Sequence, residues 1–287
     1  MKKNKSTVFM LLFFFMGLIV LLYPSISNYY NQKVQSEAVS SYEKLLSSYK
    51  DTDYTEIFNK AYEYNKKLLK VKNPLINYDE VKNYNKILDI NNNGMMGYIE
   101  IKKIGIELPI YHGTNNDVLS KAVGHIEGTS LPVGGIGTHS VLSAHRGLPS
   151  SKLFTDLDKL EIGDTFEITI LNQKLTYEVD KIEIVKPTQT KSLAIDSNND
   201  YVTLMTCTPY GINTHRLLVR GKRIENIEEK KTYVTTECYK ISNIIVTPLL
   251  ALPIIFSLLL MIMFAPPEFN KNEFLNQINK GKPKERR

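Results

Sequence analysis

One cysteine in the sequence has surroundings suited to covalent chemistry. Cys207 closes the alternating stretch 201–206 (YVTLMT), and the segment 208–213 (TPYGIN) that follows has the composition of a turn. A strand end that opens into a loop is where a rigid scaffold presents a reactive group, and a cysteine thiolate is a strong nucleophile. The next alternating stretch is 216–224. If the two stretches form a hairpin, Arg216 lies near Cys207, where its guanidinium could stabilise a thiolate or an oxyanion.

Three plainer interpretations of these residues stand beside the catalytic one. Cys207 could form a disulfide with Cys238, since a location outside the cell permits one. It could also be a buried and inert thiol, which is the commoner fate of a lone cysteine. Arg216 could be a surface arginine paired with an acidic residue. The catalytic interpretation therefore depends on Cys207 and Arg216 lying side by side.

A cysteine nucleophile commonly works with a histidine that accepts and donates protons. The five histidines are His112, His125, His139, His145 and His215. His215 directly precedes Arg216, and neighbours on a strand face opposite sides, so only one of the two can face Cys207. His145 lies in the segment LSAHRG, at an expected strand end before a Gly-Leu-Pro turn. Position favours His145 only weakly over His112, and for each histidine taken alone a structural role is the ordinary expectation.

No motif for a metal or a nucleotide accompanies these residues. The sequence contains no HExxH, no paired CxxC, no Walker loop and no GxGxxG. We therefore expect an enzyme without a cofactor or a bound metal. Two cysteines in 287 residues are too few for a disulfide-dense scaffold, and a hydrophobic content of 43% excludes wholesale disorder.

The net charge is concentrated at the two ends of the chain. A net charge of +6 would suggest a nucleic-acid partner, but half of the excess lies in residues 1–7 and half in residues 267–287. Each basic tail adjoins an uncharged apolar run, 8–26 and 244–266. Such runs beside basic residues predict two membrane spans with both termini in the cytoplasm. The run 8–26 could also be a cleaved signal peptide, because Ser25-Ile-Ser27 resembles a cleavage site. We expect no nucleic-acid partner.

Between the two apolar runs, the periodicity of the sequence changes from helical to strand-like. Residues 33–72 lack Gly and Pro and repeat apolar residues at three and four, which predicts two amphipathic helices broken near 51–53. Residues 73–95 then read as a loop. From 96 to 230, short alternating stretches separated by Gly, Pro and Asn predict an all-β barrel or sandwich. The expected strands are 97–104, 106–111, 139–144, 201–206 and 216–224, with two more within 165–185. The expected short helices are 117–123 and 151–160.

The residues around the cysteine resemble the signature of a known family. The segment 203–220 (TLMTCTPYGINTHRLLVR), together with the upstream THSVLSAHRGLPSSKLFTDL, is similar to the sortases, of the pilin-polymerising class C type. The resemblance covers about 97–223. It implies a mainly β fold, an eight-stranded barrel with N-terminal helices, short intervening helices and flanking transmembrane helices. In the family's motif, Cys207, His145 and Arg216 match the catalytic cysteine, histidine and arginine.

The resemblance also implies an activity. A class C sortase is a membrane-anchored cysteine transpeptidase on the outer surface of a Gram-positive bacterium. It cleaves an LPxTG-type sorting signal between Thr and Gly and joins the Thr carbonyl to an amine, which in a pilin polymerase belongs to a pilin lysine. A cell-wall-anchoring sortase uses an amine of a peptidoglycan precursor instead. The alternatives from other classes are a surface cysteine peptidase and a non-enzymatic, membrane-tethered adhesin or sensor.

One segment departs from the family's pattern. Class C sortases carry a flexible lid that covers the cysteine, usually with an Asp-Pro-aromatic motif. The nearest match here is Asn73-Pro74-Leu75, which lacks both the acid and the aromatic ring. The resemblance therefore implies a lid at these residues without the family's usual anchoring groups.

Overall fold

Two helices precede the barrel in the computed structural model, which describes residues 5–48, 54–226, 254, 255 and 257. Helix α1 covers Lys5–Ser48 and helix α2 covers Thr55–Leu68, so the expected break falls between them. The stretch Leu12–Ser48 is long and apolar enough to cross a membrane by length and composition, a criterion that a signal sequence also meets. The expected second span, 244–266, and both basic tails lie largely outside the described residues.

Helix α2 is amphipathic, as its sequence predicts. The residues that it buries recur at helical spacing, and they are Phe58, Ala61, Tyr64, Asn65 and Leu68. Glu56 lies in the first turn, and Lys66 and Lys67 lie in the last, where each charge complements the helix dipole. The Asn65 side chain donates to the carbonyl of Leu131 and accepts from its backbone N–H. The helix is thereby joined to the loop that follows the third strand of the barrel.

Eight strands close a β-barrel in the order β1-β2-β3-β4-β7-β8-β6-β5. The strands are β1 Met95–Ile101, β2 Ile106–His112, β3 Val123–His125, β4 Thr138–Ser143, β5 Thr165–Ile170, β6 Gln173–Val185, β7 Asp200–Thr208 and β8 His215–Ile224. The pairs β2/β3 and β4/β7 are parallel, and the remaining pairs are antiparallel. The mainly β, eight-stranded barrel implied by the sequence resemblance is confirmed.

The element boundaries differ from the sequence expectation in several places. Strand β3 was not expected, because three residues (VGH) are too few to show alternation. Strand β1 ends at Ile101, and a 3₁₀ turn replaces the rest of the expected strand 97–104. The expected helices 117–123 and 151–160 are shorter, and they are α3 Asn116–Leu119 and a 3₁₀ turn Leu157–Lys159. Strand β4 ends at Ser143, two residues before His145.

Alternation along the strands separates a packed interior from an outer face. On β7 and β8, the interior receives Val202, Leu204, Leu217 and Val219, all at most 4% exposed. Burying one such side chain contributes roughly 1.5–3 kcal/mol to stability. Because successive strand residues point to opposite faces, Met205 and Cys207 belong to the outer face. The apolar interior thus fixes which side of the sheet presents the cysteine.

Candidate active site

Cys207 and Arg216 are directly opposite each other in the β7/β8 ladder. The antiparallel register pairs Cys207 with Arg216 and Thr208 with His215. Side chains of directly opposed residues share a face, so Arg216 lies on the side of Cys207 and His215 on the other side. The Arg216 guanidinium donates to the carbonyl oxygens of Asn213 and His215 at 3.2 and 3.0 Å, which holds it over the end of the hairpin. Both Cys207 and Arg216 are half-buried.

His145 follows the neighbouring strand on the other side of β7. The parallel β4/β7 register ends with Ser143 opposite Met205. The backbone N–H of Ala144 still donates to the carbonyl of Met205 at 3.2 Å. Continued by two residues, this register would place His145 beside Cys207. The structure thus brings Cys207, His145 and Arg216 to the ends of three adjacent chain segments, with Cys207 in the middle.

The other histidines are engaged in the fold. His112 is buried, and its two ring nitrogens contact the carbonyl oxygens of Gly94 and Ile87, both at 2.9 Å. His125 is fully buried between the Tyr84 hydroxyl and the Ser130 carbonyl, and burial lowers its pKa to about 4. Burial also lowers the pKa of His112.

His139 completes this set of structural histidines. Its ring nitrogens contact the carbonyl of Ala194 at 2.9 Å and the hydroxyl of Thr203 at 2.7 Å, and burial lowers its pKa. Of the two half-buried histidines, His215 pairs with Thr208 on the other face of the hairpin, so His145 is the candidate partner of Cys207.

The outer face beside the cysteine carries an apolar cluster that the sequence reasoning did not identify. Val141, Leu193 and Leu218 are buried there, and Ile126, Val185 and Met205 pack against them. Met205 precedes Cys207 by two residues and Leu218 follows Arg216 by two, so the cluster lies about 7 Å further along the same face. Strands β4, β7 and β8 supply one cluster residue each from these positions, Val141, Met205 and Leu218, so the sequence carries no repeated apolar pattern that would signal the cluster.

The predicted lid residues lie against this outer face. The half-buried Leu75 packs on the apolar cluster. The backbone of Pro74 passes so close to Gly128 that a Cβ at position 128 would lie 2.5 Å from the Pro74 carbonyl oxygen. Asn73 is exposed, with a left-handed φ of 54°. The segment is therefore held by an apolar side chain and a close backbone approach.

Buried residues anchor both ends of this segment. Leu68 at the end of α2 is fully buried, and Val71 packs against the main core. After the segment, Tyr84 is 3% exposed, and its hydroxyl contacts the His125 ring at 2.9 Å and accepts from the N–H of Gly113 at 3.0 Å. Between these anchors most residues are exposed, including Ile76 at 74%.

The remaining sequence alternatives concern the thiol and metal binding. Cys207 is a free cysteine. The alternative disulfide partner Cys238 lies outside the described residues. In the part of the chain that the structure describes, no group of three or more His, Cys, Asp or Glu side chains is arranged to hold a metal ion.

Comparisons with known proteins identify the family. The sequence model of the sortase domain matches residues 99–224. The crystal structure of sortase C1 from Streptococcus agalactiae is 49% identical, with a TM-score of 0.60, and the alignment covers 66% of this chain and 99% of that one. Sortase C from Clostridium perfringens is 44% identical, with a TM-score of 0.56, over 66% of this chain and 99% of that one. This chain belongs to the sortase family of transpeptidases, and to its class C.

A curated relative is more distant. Sortase D of Bacillus subtilis is 34% identical over 131 residues, which are 45% of this chain and 63% of that protein. The chain thus spans less than two-thirds of the length of that relative. The class C structures, by contrast, are matched over almost their whole length.

Proposed function

We propose that this chain is a membrane-anchored cysteine transpeptidase that cleaves an LPxTG-type sorting signal between Thr and Gly. It transfers the Thr carbonyl to an amine, which we assign to a lysine of a pilin subunit. The observation that carries the proposal is the pairing of Cys207 with Arg216 in the hairpin register, beside the strand end that leads to His145. The pilin assignment is supported by the identity of 40–49% with class C sortases.

The first half of the reaction forms a thioester. The Cys207 thiolate attacks the carbonyl carbon of the signal's Thr, and the carbonyl π electrons move onto oxygen. Arg216 stabilises the negative oxygen, because its guanidinium is a fixed donor beside the attacking sulfur. When the intermediate collapses, the C–N bond to Gly breaks, and His145 donates a proton to the departing amine. The products are a thioacyl-enzyme and the released C-terminal fragment.

The second half of the reaction transfers the acyl group. A neutral lysine amine of a second pilin attacks the thioester carbon, and His145 accepts the proton that the amine loses. The C–S bond breaks and Cys207 leaves as a thiolate, so the enzyme returns to its starting state. The net change is one peptide bond exchanged for one isopeptide bond, with no oxidant or cofactor consumed.

The membrane assignment follows from α1 and the charge pattern. The described helix is apolar and exposed over residues 12–23, and the acid-free basic tail 1–7 precedes it. With the second run 244–266, this arrangement predicts an extracellular barrel and two cytoplasmic termini, in the cell membrane of a Gram-positive bacterium. Tethering would keep the enzyme near pilins and cell-wall precursors at the membrane surface.

The segment Asn73–Leu75 acts as the lid in this proposal. Leu75 covers apolar side chains on the face that carries Cys207, where an extended substrate would have to lie. A segment that is anchored at both ends but mostly exposed can move away from this face without unfolding the core, because few of its side chains are buried. The lid thus reduces thiol access until a substrate or another event displaces it.

Mass spectrometry of the covalent products tests this function. The full chain in detergent is incubated with a sorting-signal peptide and, separately, with a lysine peptide from a pilin-like sequence, a peptidoglycan-precursor amine, or no amine. We expect a Thr–lysine isopeptide product. A product formed only with the precursor amine would support cell-wall anchoring, and hydrolysis alone would support a peptidase.

Replacement of the nucleophile gives the matched control. Cys207→Ala should abolish both thioacyl-enzyme formation and transfer while the melting temperature stays near that of the wild type. Cys238→Ser should retain activity, since the mechanism does not use that thiol. Transfer by the purified Cys207→Ala protein would refute the nucleophile assignment.

A further inference from the structure

Arg146, the residue directly after His145, joins three parts of the barrel end at which the proposed site lies. Its side chain is only 10% exposed. Its Nη2 donates to the carboxylate of Asp158, in the 3₁₀ turn after β4. Its Nη1 donates to the hydroxyl oxygen of Thr208 at 3.4 Å. Because Thr208 directly follows Cys207, this bridge connects the immediate chain neighbours of the proposed base and nucleophile.

The bridge lies behind the proposed catalytic side chains. Successive strand residues point to opposite faces, so Thr208 points away from the outer face that Cys207 shares with Arg216. The contact between Arg146 and Thr208 therefore leaves the outer face open. It fixes the separation of the two chain segments that carry His145 and Cys207.

The loop around Arg146 is held by further contacts. The carbonyl of His145 accepts from the N–H of Phe154 at 3.2 Å, and the N–H of Gly147 donates to the Thr155 hydroxyl at 3.1 Å. The Tyr210 ring covers Gly147 so closely that a Cβ there would lie 2.9 Å from it. The same ring is 5.9 Å from the guanidinium carbon of Arg146. Residues from the chain before and after Cys207 thus brace the His145 loop.

Stability alone is a poor reason for an arginine at this position. The Nε of Arg146 is buried and has no hydrogen-bond partner among the described residues. A buried donor of a charged group that lacks a partner costs free energy. When an arrangement that costs stability lies beside a functional site, the expected reason is that the residue serves the function.

We propose that Arg146 is a positioning residue for transpeptidation, which sets the separation of His145 and Cys207 through Thr208 and Asp158. The proposal rests on the proposed function, because His145 must reach the leaving amine while Cys207 holds the acyl group. A misplacement of about 1 Å in such a pair can lower the rate by about 100-fold. The substrate groove itself would be unaffected, since Arg146 lies behind it.

The test compares Arg146→Ala, Arg146→Lys and Thr208→Val with Arg223→Ala, in the full chain in detergent and a Cys238→Ser background. Arg223 is the matched control, because it also donates to its neighbours and its guanidinium carbon also lies 5.9 Å from a tyrosine ring. It is seven residues from Arg216 along β8, about 23 Å away. The readouts are kcat and KM for a sorting-signal peptide, and the pH profile of Cys207 alkylation.

We expect Arg146→Ala to lower kcat about 100-fold, with KM within about threefold of the wild type and a shifted pH profile of alkylation. Thr208→Val should lower kcat about tenfold. The kcat of Arg146→Lys should lie between those of Arg146→Ala and Thr208→Val, because an ammonium cannot bridge two partners as a planar guanidinium does. Arg223→Ala should keep the wild-type kcat and pH profile.

The proposal is overturned if Arg146→Ala matches Arg223→Ala in kcat and in the alkylation profile. If Arg146→Ala does not fold, Thr208→Val decides, and a wild-type kcat and pH profile for that variant would overturn the proposal. A wild-type chain that transfers to no amine would instead refute the proposed function. In that case a shifted alkylation profile in Arg146→Ala would still support the positioning role.

Discussion

The close approach of the proposed lid to Gly128 allows the segment to be displaced by one methyl group. Gly128 has a φ of +87°, and a Cβ at this position would lie 2.5 Å from the Pro74 carbonyl oxygen and 3.0 Å from the Leu75 Cα. Normal van der Waals contact requires about 3.5 Å, so the lid backbone must retreat by about 1 Å. The anchored core cannot move as easily as the exposed segment, because interior side chains are close-packed. Gly128→Ala should therefore push the lid outward.

The size of the effect follows from what the lid loses. Full burial of a leucine contributes roughly 1.5–3 kcal/mol, and the half-buried Leu75 gains about half of that from the outer-face cluster. Losing this contact would raise the population of the open lid by roughly four- to twelvefold, since about 1.4 kcal/mol corresponds to a factor of ten. If opening is fast relative to labelling, the alkylation rate of Cys207 rises by the same factor.

The assay is the alkylation rate of Cys207 by iodoacetamide in a Cys238→Ser background at neutral pH. Gly105→Ala is the matched control, because Gly105 also has a positive φ, +61°, but nothing lies within 4 Å of its would-be Cβ. The control thus carries backbone strain without a steric push on the lid. We expect roughly four- to twelvefold faster labelling for Gly128→Ala and wild-type labelling for Gly105→Ala. Equal rates in the two folded variants would refute the lid assignment.

Three further predictions test the site, the lid and the core. Arg216→Lys should lower kcat at least about tenfold, because a point charge cannot reproduce the planar guanidinium fork, and a near-normal peptide cleavage rate would indicate a surface role. Replacing residues 73–80 by a Gly/Ser linker should accelerate labelling of Cys207, whereas an unchanged rate would mean that this segment is no lid. Since burial lowers the pKa of His125 from 6.5 to about 4, the unfolded chain takes up a proton before the folded chain does. Stability should therefore be retained above pH 6.5 and fall, by an amount on the order of 3 kcal/mol, between pH 6.5 and 4. Denaturant unfolding at several pH values measures the free energy of unfolding, and His125→Gln should reduce its change between pH 6.5 and 4.

The sequence by itself was sufficient for the class of fold and for a short set of candidate residues. Alternation of apolar residues predicts strands, because side chains on a strand have a period of two, and seven of the eight strands have six or more residues over which to show it. Strand β3 has three residues and left no such pattern. The triad candidates came from a local motif, in which Cys207 and Arg216 are nine residues apart and HRGLP lies upstream. The sequence favoured His145 over His112 only weakly, because it does not show that the ring of His112 contacts two carbonyl oxygens.

The tertiary structure decided what depends on contacts between distant parts of the chain. The parallel pairing of β4 with β7 brings the segment before His145 alongside the segment before Cys207, although about 60 residues separate them. Burial and carbonyl partners distinguish His112, His125 and His139 from His145. The contacts of Leu75 and of Arg146 likewise join segments that are not neighbours in sequence. Local periodicity reports which face of an element is buried, but only the closed barrel determines which outward side chains meet.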